Sequence, residues 1–296
     1  MKITKTQLKD WNACRDGYEW FLRRFPEGEA EYQDVLNALA ENDRTDDAHW
    51  LMNHAGPDAQ AVLEIEVLAG YKHLFVAGSL VVKKGGSVTA WLRAGRSIVA
   101  GEGIEAGRSI VAGRSIVAGE GIEAGRGIEA GRGIKAGRGI EAGEGIVAGR
   151  SIVAGRGIEA GWGIEAGWGI EAGEGIEAGR GIEAGRGIVA GRSIVAGRGI
   201  KAGRGIEAGE GIKAGEGIRA GWGIKAGRGI EAGEGIRAGW GIEAGEGMGV
   251  FAGLCVCVNQ WSLYAQVIAS AKPKNLISGV WVEPIIEINR KHDNHV

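Results

Sequence analysis

The chain has 296 residues, a formal net charge of -2, and 57 glycines but only four prolines. A chain so close to neutral is neither the strongly basic body of a nonspecific nucleic-acid binder nor the strongly acidic body of a whole-surface DNA mimic. Abundant glycine with so little proline fits neither collagen nor a flexible linker, and it predicts an ordered repeat.

The N-terminal residues lack an apolar segment with a cleavage site, and no run of eighteen apolar residues follows. We therefore expect a cytoplasmic protein with no membrane partner. Three cysteines are too few for a disulfide scaffold. In "LCVCV", Cys255 and Cys257 alternate as in a strand, so we expect reduced thiols packed in a core rather than a redox or zinc site.

Residues 1–60 are predicted to form a helical head. The stretch "TKTQLKDWNACRDGYEWFLRRF" has apolar residues at helical spacing, and "EAEYQDVLNALAEN" predicts a second helix. A third helix, "TDDAHWLMNHAG", is expected to begin with Thr45 as its N-cap and to stop at Gly56. Helices this short bury little surface, so the head should pack on the first coil that follows.

From residue 61 the apolar period changes to that of a strand. We predict irregular entrance coils over 61–97, a regular repeat over 98–248 and a C-terminal β cap with its tail over 249–296. Isoleucine recurs every six residues from Ile98 to Ile242, 25 times, with alanine two positions later and glycine three positions later. Met248 and Leu254 are expected to continue this phase.

Each hexad predicts one short strand and one corner. In a strand the isoleucine and the alanine project to one side, and the glycines that follow allow a sharp turn through positive φ. Stacked coils then bury isoleucine on isoleucine, which predicts a mainly β protein, a hexad-repeat β-solenoid. Trp168, Trp222 and Trp240 are separated by multiples of three hexads, which favours three hexads per coil over a flat coil of two; the handedness stays open.

The phrase "GIEAGWGIEAGWG" resembles the hexapeptide β-solenoid proteins and, more loosely, the bactofilin-type scaffolds. The head, together with the repeat and the tail "YAQVIASAKPKNLISGVWVE", is similar to uncharacterised repeat proteins of bacterial chromosomes and prophages, a resemblance that implies no activity. Hexapeptide acyltransferases carry a catalytic histidine near the repeat. All five histidines of this chain lie outside it, which disfavours acyl transfer: His49, His54, His73, His292 and His295.

Two outward columns of residues remain for function. The residue after isoleucine is Glu in 12 of the 25 hexads, and the corner residue is Arg in 13, Glu in eight and Trp in four. Glutamates interleaved with the arginines weaken the prediction that the rod binds nucleic acid, although the regularly spaced arginines leave this alternative open. Tryptophan at an exposed corner predicts a contact with a protein partner or a second copy. The candidate interaction residues are Trp162, Trp168, Trp222 and Trp240.

No residue pattern predicts a catalytic, cofactor-binding or metal site, and the "HDNH" of residues 292–295 is interpreted as a polar tail. The sequence therefore predicts a non-enzymatic structural or interaction protein, a self-associating solenoid rod without cofactors. The alternatives are a surface-mimicking inhibitor of a nucleic-acid enzyme, as pentapeptide-repeat solenoids are, and a hexapeptide-type acyltransferase.

Overall fold

The computed structural model describes residues 1–245, 249–257 and 260–284. The head contains a two-stranded antiparallel sheet, β1 (Lys2–Thr4) and β2 (Glu29–Glu31), which the sequence did not predict. Its four helices have the following bounds: α1 (Lys5–Asp10), α2 (Arg15–Arg24), α3 (Tyr32–Glu41) and α4 (Thr45–Ala55).

The first predicted helix is two helices in the structure. Asn12 has a positive φ of 57°, which breaks the helix between α1 and α2. Each piece begins at its own cap: the Thr4 side chain accepts from the Gln7 N–H, and the Cys14 sulfur accepts from the Gly17 N–H. The apolar spacing predicted one continuous helix, but the local capping hydrogen bonds divide it into two.

Helix α4 ends at Gly56, as predicted, but Thr45 is its first residue rather than its N-cap. Arg44 occupies the N-cap position and makes no side-chain capping hydrogen bond there. Its guanidinium instead binds the carboxylates of Asp47 and Asp16. Acidic side chains in the first turn favour the helix N-terminus in place of a side-chain cap.

The head packs on the solenoid, as predicted. Helix α3 lies against β5 (Leu74–Val76), where Phe75 and Ala77 join the head's own core. The Gln33 amide fixes this junction, because its Nε2 donates to the Phe75 carbonyl at 2.8 Å and its Oε1 accepts from the Ala77 N–H at 3.0 Å. The first coil thus contributes Phe75 and Ala77 to the core of the head, while Leu74 and Val76 of the same strand belong to the core of the rod.

The solenoid begins with irregular strands and continues with regular ones. The irregular strands are β3 (Val62–Ile65), β4 (Leu68–Tyr71), β5, β6 (Ser79–Val82), β7 (Gly86–Val88) and β8 (Leu92–Ala94). The regular strands β9 to β33 are three residues long, one per hexad, and each reads Ile-x-Ala. The first is Ile98–Ala100 and the last is Ile242–Ala244.

The strands form three parallel sheets, the faces of a triangular prism. Face 1 has 11 strands and contains β3, face 2 has 12 strands and contains β4, and face 3 has 12 strands and contains β5. Each regular strand from β9 to β30 pairs with the strand three hexads further on, as Ile116 does with Ile134. Three hexads therefore make one turn, as predicted, and the flat two-hexad coil is excluded.

The inside of the prism is the stack of isoleucine and alanine that the repeat predicts. From Ile98 to Ile236 every isoleucine of the repeat is at most 1% exposed. At about 25 cal/mol per Å² of apolar surface, each contributes on the order of 2 kcal/mol to stability. Because the core has one continuous cluster, each turn is stabilised by its neighbours.

The glycine after each alanine is required by close packing and not by positive φ, which corrects the sequence prediction. Within the described residues, no glycine of the regular repeat has a positive φ. A Cβ on Gly137 would lie 2.0 Å from the carbonyl oxygen of Gly119 in the preceding turn. The second glycine of the hexad has room, since a Cβ on Gly139 would lie 3.7 Å from the Gly157 oxygen. Serine therefore replaces only the second glycine.

The C-terminal cap adds strands to two of the three faces. Its elements are β34 (Val250–Phe251), α5 (Trp261–Tyr264), β35 (Gln266–Ile268), β36 (Leu276–Ser278) and β37 (Val280–Val282). β34 and β36 extend face 2, and β35 and β37 extend face 3. Among the described residues, face 1 ends at β33.

The cap also overturns two predictions. The chain leaves the hexad phase, because Ile230 pairs with Val250 rather than with the residue three hexads on, and Leu254 is 55% exposed in a turn. Cys255 and Cys257 follow in the same non-strand segment, so both thiols are exposed rather than packed in a core. Met248 lies outside the described residues, as do His292, Asp293 and His295.

No helix in the described part of the chain is both long enough and apolar enough to cross a membrane.

Candidate interaction surfaces

Three columns of corner residues run along the edges of the prism. Each corner N–H donates to the carbonyl of the corner residue one turn earlier, for example Arg132 to Arg114 at 2.6 Å. The edge between faces 3 and 1 carries only arginine and tryptophan over nine turns. We call it the Arg/Trp edge; its residues are Arg96, Arg114, Arg132, Arg150, Trp168, Arg186, Arg204, Trp222 and Trp240.

The structure brings three of the four predicted tryptophans together. Trp168, Trp222 and Trp240 lie on the Arg/Trp edge and are 44%, 51% and 69% exposed. Trp162 is also exposed but lies on the edge between faces 2 and 3, where its N–H donates to the Glu144 carbonyl. The three-hexad spacing thus correctly separates one tryptophan from the other three.

The tryptophan rings contact their neighbours along the edge. Trp222 and Trp240 stack with their ring centroids 5.6 Å apart and their planes 8° from parallel. Trp168 lies between two guanidinium groups, those of Arg150 at 5.0 Å and Arg186 at 4.5 Å from its ring centroid. Stacking and cation–π contacts hold these side chains along the edge, so the edge presents an ordered surface.

The edge between faces 1 and 2 has the same backbone geometry but mixed charge. Its corner residues from 102 to 228 are glutamate or arginine, and three pairs of successive corners form ion pairs. These pairs are Arg138 with Glu120, Arg192 with Glu174, and Arg228 with Glu210. This edge therefore satisfies much of its charge within the chain.

Face 2 carries the opposite charge from the Arg/Trp edge. Five successive turns place a glutamate at its outward position, and we call this set the glutamate column: Glu105, Glu123, Glu141, Glu159 and Glu177. All five are exposed, and they lie along a shallow groove whose floor is formed by backbone of the stacked strands. Among the described residues, none of the five belongs to an ion pair.

Counting residue types by hexad did not reveal this separation of charge. The counts showed glutamate interleaved with arginine along the chain, whereas winding at three hexads per turn collects like charges in two columns, the Arg/Trp edge and the glutamate column. The signal was present in the sequence, because reading every third hexad gives the Arg/Trp edge and the glutamate column directly. Identifying these columns requires the number of hexads per turn, which the pairing of the strands establishes.

The junction of head and rod holds a half-buried polar cluster. The Arg93 guanidinium donates to Asn53 and lies 2.7 Å from Nδ1 of His49, whose ring also packs on Trp91. Burial, and secondarily the Arg93 charge, lowers the pKa of His49 to about 4. Burial also lowers the pKa of Arg93. His49 is therefore a neutral acceptor that orients Arg93.

The described residues contain no group of three or more His, Cys, Asp or Glu side chains placed to hold a metal ion. The head has an apolar cleft of about 340 Å³ between its helices, with Cys14, Trp20 and Trp50 among the lining residues. The lining also contains Asp46 and Asp47 but consists mainly of apolar side chains, and the Asp47 carboxylate is paired with Arg44.

Comparison with known proteins matches the head. The family model of the YdhT N-terminal domain covers residues 1–55. Over 55 residues the chain is 42% identical to the uncharacterised protein YdhT of Escherichia coli (strain K12), a segment that is 19% of this chain and 20% of that protein. The chain thus spans about a fifth of the length of this relative. No solved structure matches. The similarity to YdhT lies in the helical head and leaves the repeat outside the matched segment.

Proposed function

We propose that this chain is a non-enzymatic structural or interaction protein, a cytoplasmic rod that associates with further copies of itself. The parallel solenoid is compatible with such a role, because it builds a long straight surface from small units. The observation that carries the proposal is the tryptophan column. Three half-exposed indoles lie on one edge of a rod whose exterior is otherwise mainly charged or small.

An exposed indole keeps apolar surface in water, and a contact that covers it gains stability. Trp222 and Trp240 present their stacked rings as one apolar patch, and Trp240 is 69% exposed. The neighbouring face 1 also carries exposed apolar side chains, since Val99 and Val189 are 41% and 43% exposed. Aromatic groups surrounded by arginine are typical of contact surfaces between proteins.

We expect no enzymatic turnover of a small-molecule substrate, because of the residue types in the repeat. Residues 98–245 contain no histidine or cysteine, and serine occurs there only as the second small residue of a corner. General acid–base and nucleophilic catalysis require a base placed beside a nucleophile. We expect no acyl transfer from an acyl-CoA donor to an acceptor amine or hydroxyl; measurable transfer by the purified chain would contradict this part of the proposal.

The experiment replaces the three tryptophans of the edge with glutamine, in Trp168→Gln/Trp222→Gln/Trp240→Gln, which leaves the charge of the edge unchanged. We expect the far-UV circular dichroism of the wild type with a lower sedimentation-velocity mass. The matched control is Trp162→Gln on the neighbouring edge, which should keep the wild-type mass. A wild-type chain that is monomeric at all concentrations, or a triple variant with unchanged mass, would overturn the proposal.

A second candidate function is favoured by the glutamate column. A contiguous acidic face is what a surface-mimicking inhibitor of a nucleic-acid enzyme would present. The column supplies one carboxylate per about 4.8 Å of rod, sparser than the phosphates of duplex DNA. The test is inhibition of DNA supercoiling and DNA cleavage by bacterial enzymes, with Glu123→Gln/Glu141→Gln/Glu159→Gln as the control that should lose inhibition.

A further inference from the structure

The glutamate column is built against the preference of like charges to stay apart. Its members are direct partners in the parallel sheet, for example Glu105 with Glu123 and Glu141 with Glu159. Like charges directly opposite in a sheet are unfavourable. On face 3, by contrast, Glu183 and Lys201 occupy successive turns and form an ion pair, with 2.6 Å between Oε1 and Nζ. The glutamate column has no such partner among the described residues.

The Arg/Trp edge has the complementary charge. Arg96 is half-buried at the head, where its guanidinium donates to the Ala59 carbonyl. The five arginines beyond it, Arg114, Arg132, Arg150, Arg186 and Arg204, are exposed. Among the described residues, none of these five belongs to an ion pair. Neither set is therefore paired within the chain, as far as the described residues show.

The two surfaces also match in spacing and in position. Each is a column with one residue per turn, so each repeats at about 4.8 Å. Once one arginine is set opposite one glutamate of a parallel rod, the following turns match as well. In a triangular prism the edge between faces 3 and 1 lies opposite face 2, so the Arg/Trp edge and the glutamate column lie on opposite sides of one copy.

From this complementarity we infer that the Arg/Trp edge of one copy docks along the glutamate column on face 2 of a second copy. The inference rests on the proposed self-association and names the surfaces that make it. A convex edge enters the shallow groove of face 2, and arginine pairs with carboxylate across the contact. Because the two surfaces differ, the contact is heterologous and leaves a free edge and a free face. The rods therefore stack side by side into an open assembly.

The experiment reverses each surface in turn. The edge variant is Arg114→Glu/Arg132→Glu/Arg150→Glu, and the face variant is Glu123→Lys/Glu141→Lys/Glu159→Lys. We expect each alone to keep the wild-type far-UV spectrum and to require a concentration at least about 30-fold higher for association in sedimentation velocity, since three attractive pairs become repulsive. An equimolar mixture should associate again, because each reversed surface then meets a complementary one.

The matched control is Glu120→Arg/Arg138→Glu, which reverses an ion pair inside the mixed edge and should associate like the wild type. Raising sodium chloride from about 0.05 to about 0.5 M should weaken association of the wild type.

If the wild type associates but neither reversal changes its association, or if the mixture of the two variants does not associate again, the docking is wrong and the self-association stands. A monomeric wild type overturns both. Tight binding of an oligothymidylate by the wild type without assembly would instead assign the edge to nucleic acid.

Discussion

The head and the rod are stabilised in different ways. In the head each core side chain has its own neighbours, and polar contacts such as those of Gln33 and Arg93 occur once. In the regular part of the rod the core and backbone contacts recur one turn later, so position within the turn decides whether a residue is buried, exposed or at a corner. The effect of a substitution in the rod should therefore depend on its position within the turn, whereas in the head it should depend on the contacts of the individual residue.

The largest effect should come from placing a charge inside the rod. Ile170 is 1% exposed, whereas the next residue, Glu171, is exposed on face 1. Ile170→Asp buries an unpaired carboxylate and removes an apolar side chain, so we expect a loss of about 4 kcal/mol or more in the free energy of unfolding. Glu171→Lys should cost less than about 0.5 kcal/mol. Equal shifts in thermal denaturation would show that inside and outside are misassigned.

A smaller loss should separate the two glycines of one hexad. Gly137→Ala brings a Cβ within 2.0 Å of the Gly119 oxygen, and only movement of backbone between turns relieves this overlap. We expect a loss of about 2 to 3 kcal/mol in urea denaturation. Gly139→Ser, where the nearest atom is 3.7 Å away, should be within about 0.5 kcal/mol of the wild type. If both are tolerated alike, the turns are not packed this closely.

The junction of head and rod should respond to acid. His49 is neutral in the fold, with a pKa of about 4, whereas in an unfolded chain it titrates near 6.5. The unfolded state therefore binds a proton that the folded state does not. Its contribution to stability is complete above about pH 6.5 and is lost as the pH falls towards 4, on the order of 1 kcal/mol after solvent screening. Denaturant melts at pH 7 and pH 4.5 should show it, and His49→Asn should reduce the difference.

Removing a whole turn should leave the fold and the columns intact. Deleting residues 121–138 joins Glu120 to Gly139 and keeps every column in place, so we expect a folded, β-rich rod that still associates. Deleting only 121–126 should fold as well, because every hexad fits every face. It would place Arg138 and Glu174 in line with Arg114 on the edge, and it would also break the glutamate column. Association should then be lost; its retention would show that the columns have no role.

The sequence alone specified the solenoid, because the rule of isoleucine and alanine in every hexad leaves one buried side and one exposed side per hexad. It also specified the docking of the head, since helices that short need a neighbouring core. The break at Asn12, the N-cap at Arg44 and the exposed Cys255 were not foreseeable in this way. They depend on local hydrogen bonds and on how the cap leaves the hexad phase, and periodicity does not record either.

The tertiary structure decided how charge is distributed on the outside, because the tryptophan spacing favours three hexads per coil but the pairing of the strands establishes it. Any hexad fits any face as far as the core is concerned, so the apolar repeat does not state which hexads share a column. Hydrogen bonding between turns fixes three hexads per coil, and that number places Arg132 above Arg114 and Glu123 above Glu105. The core thus follows from the residue types within each single hexad. The outward columns join residues that are three hexads apart in sequence and become neighbours when the chain winds into turns.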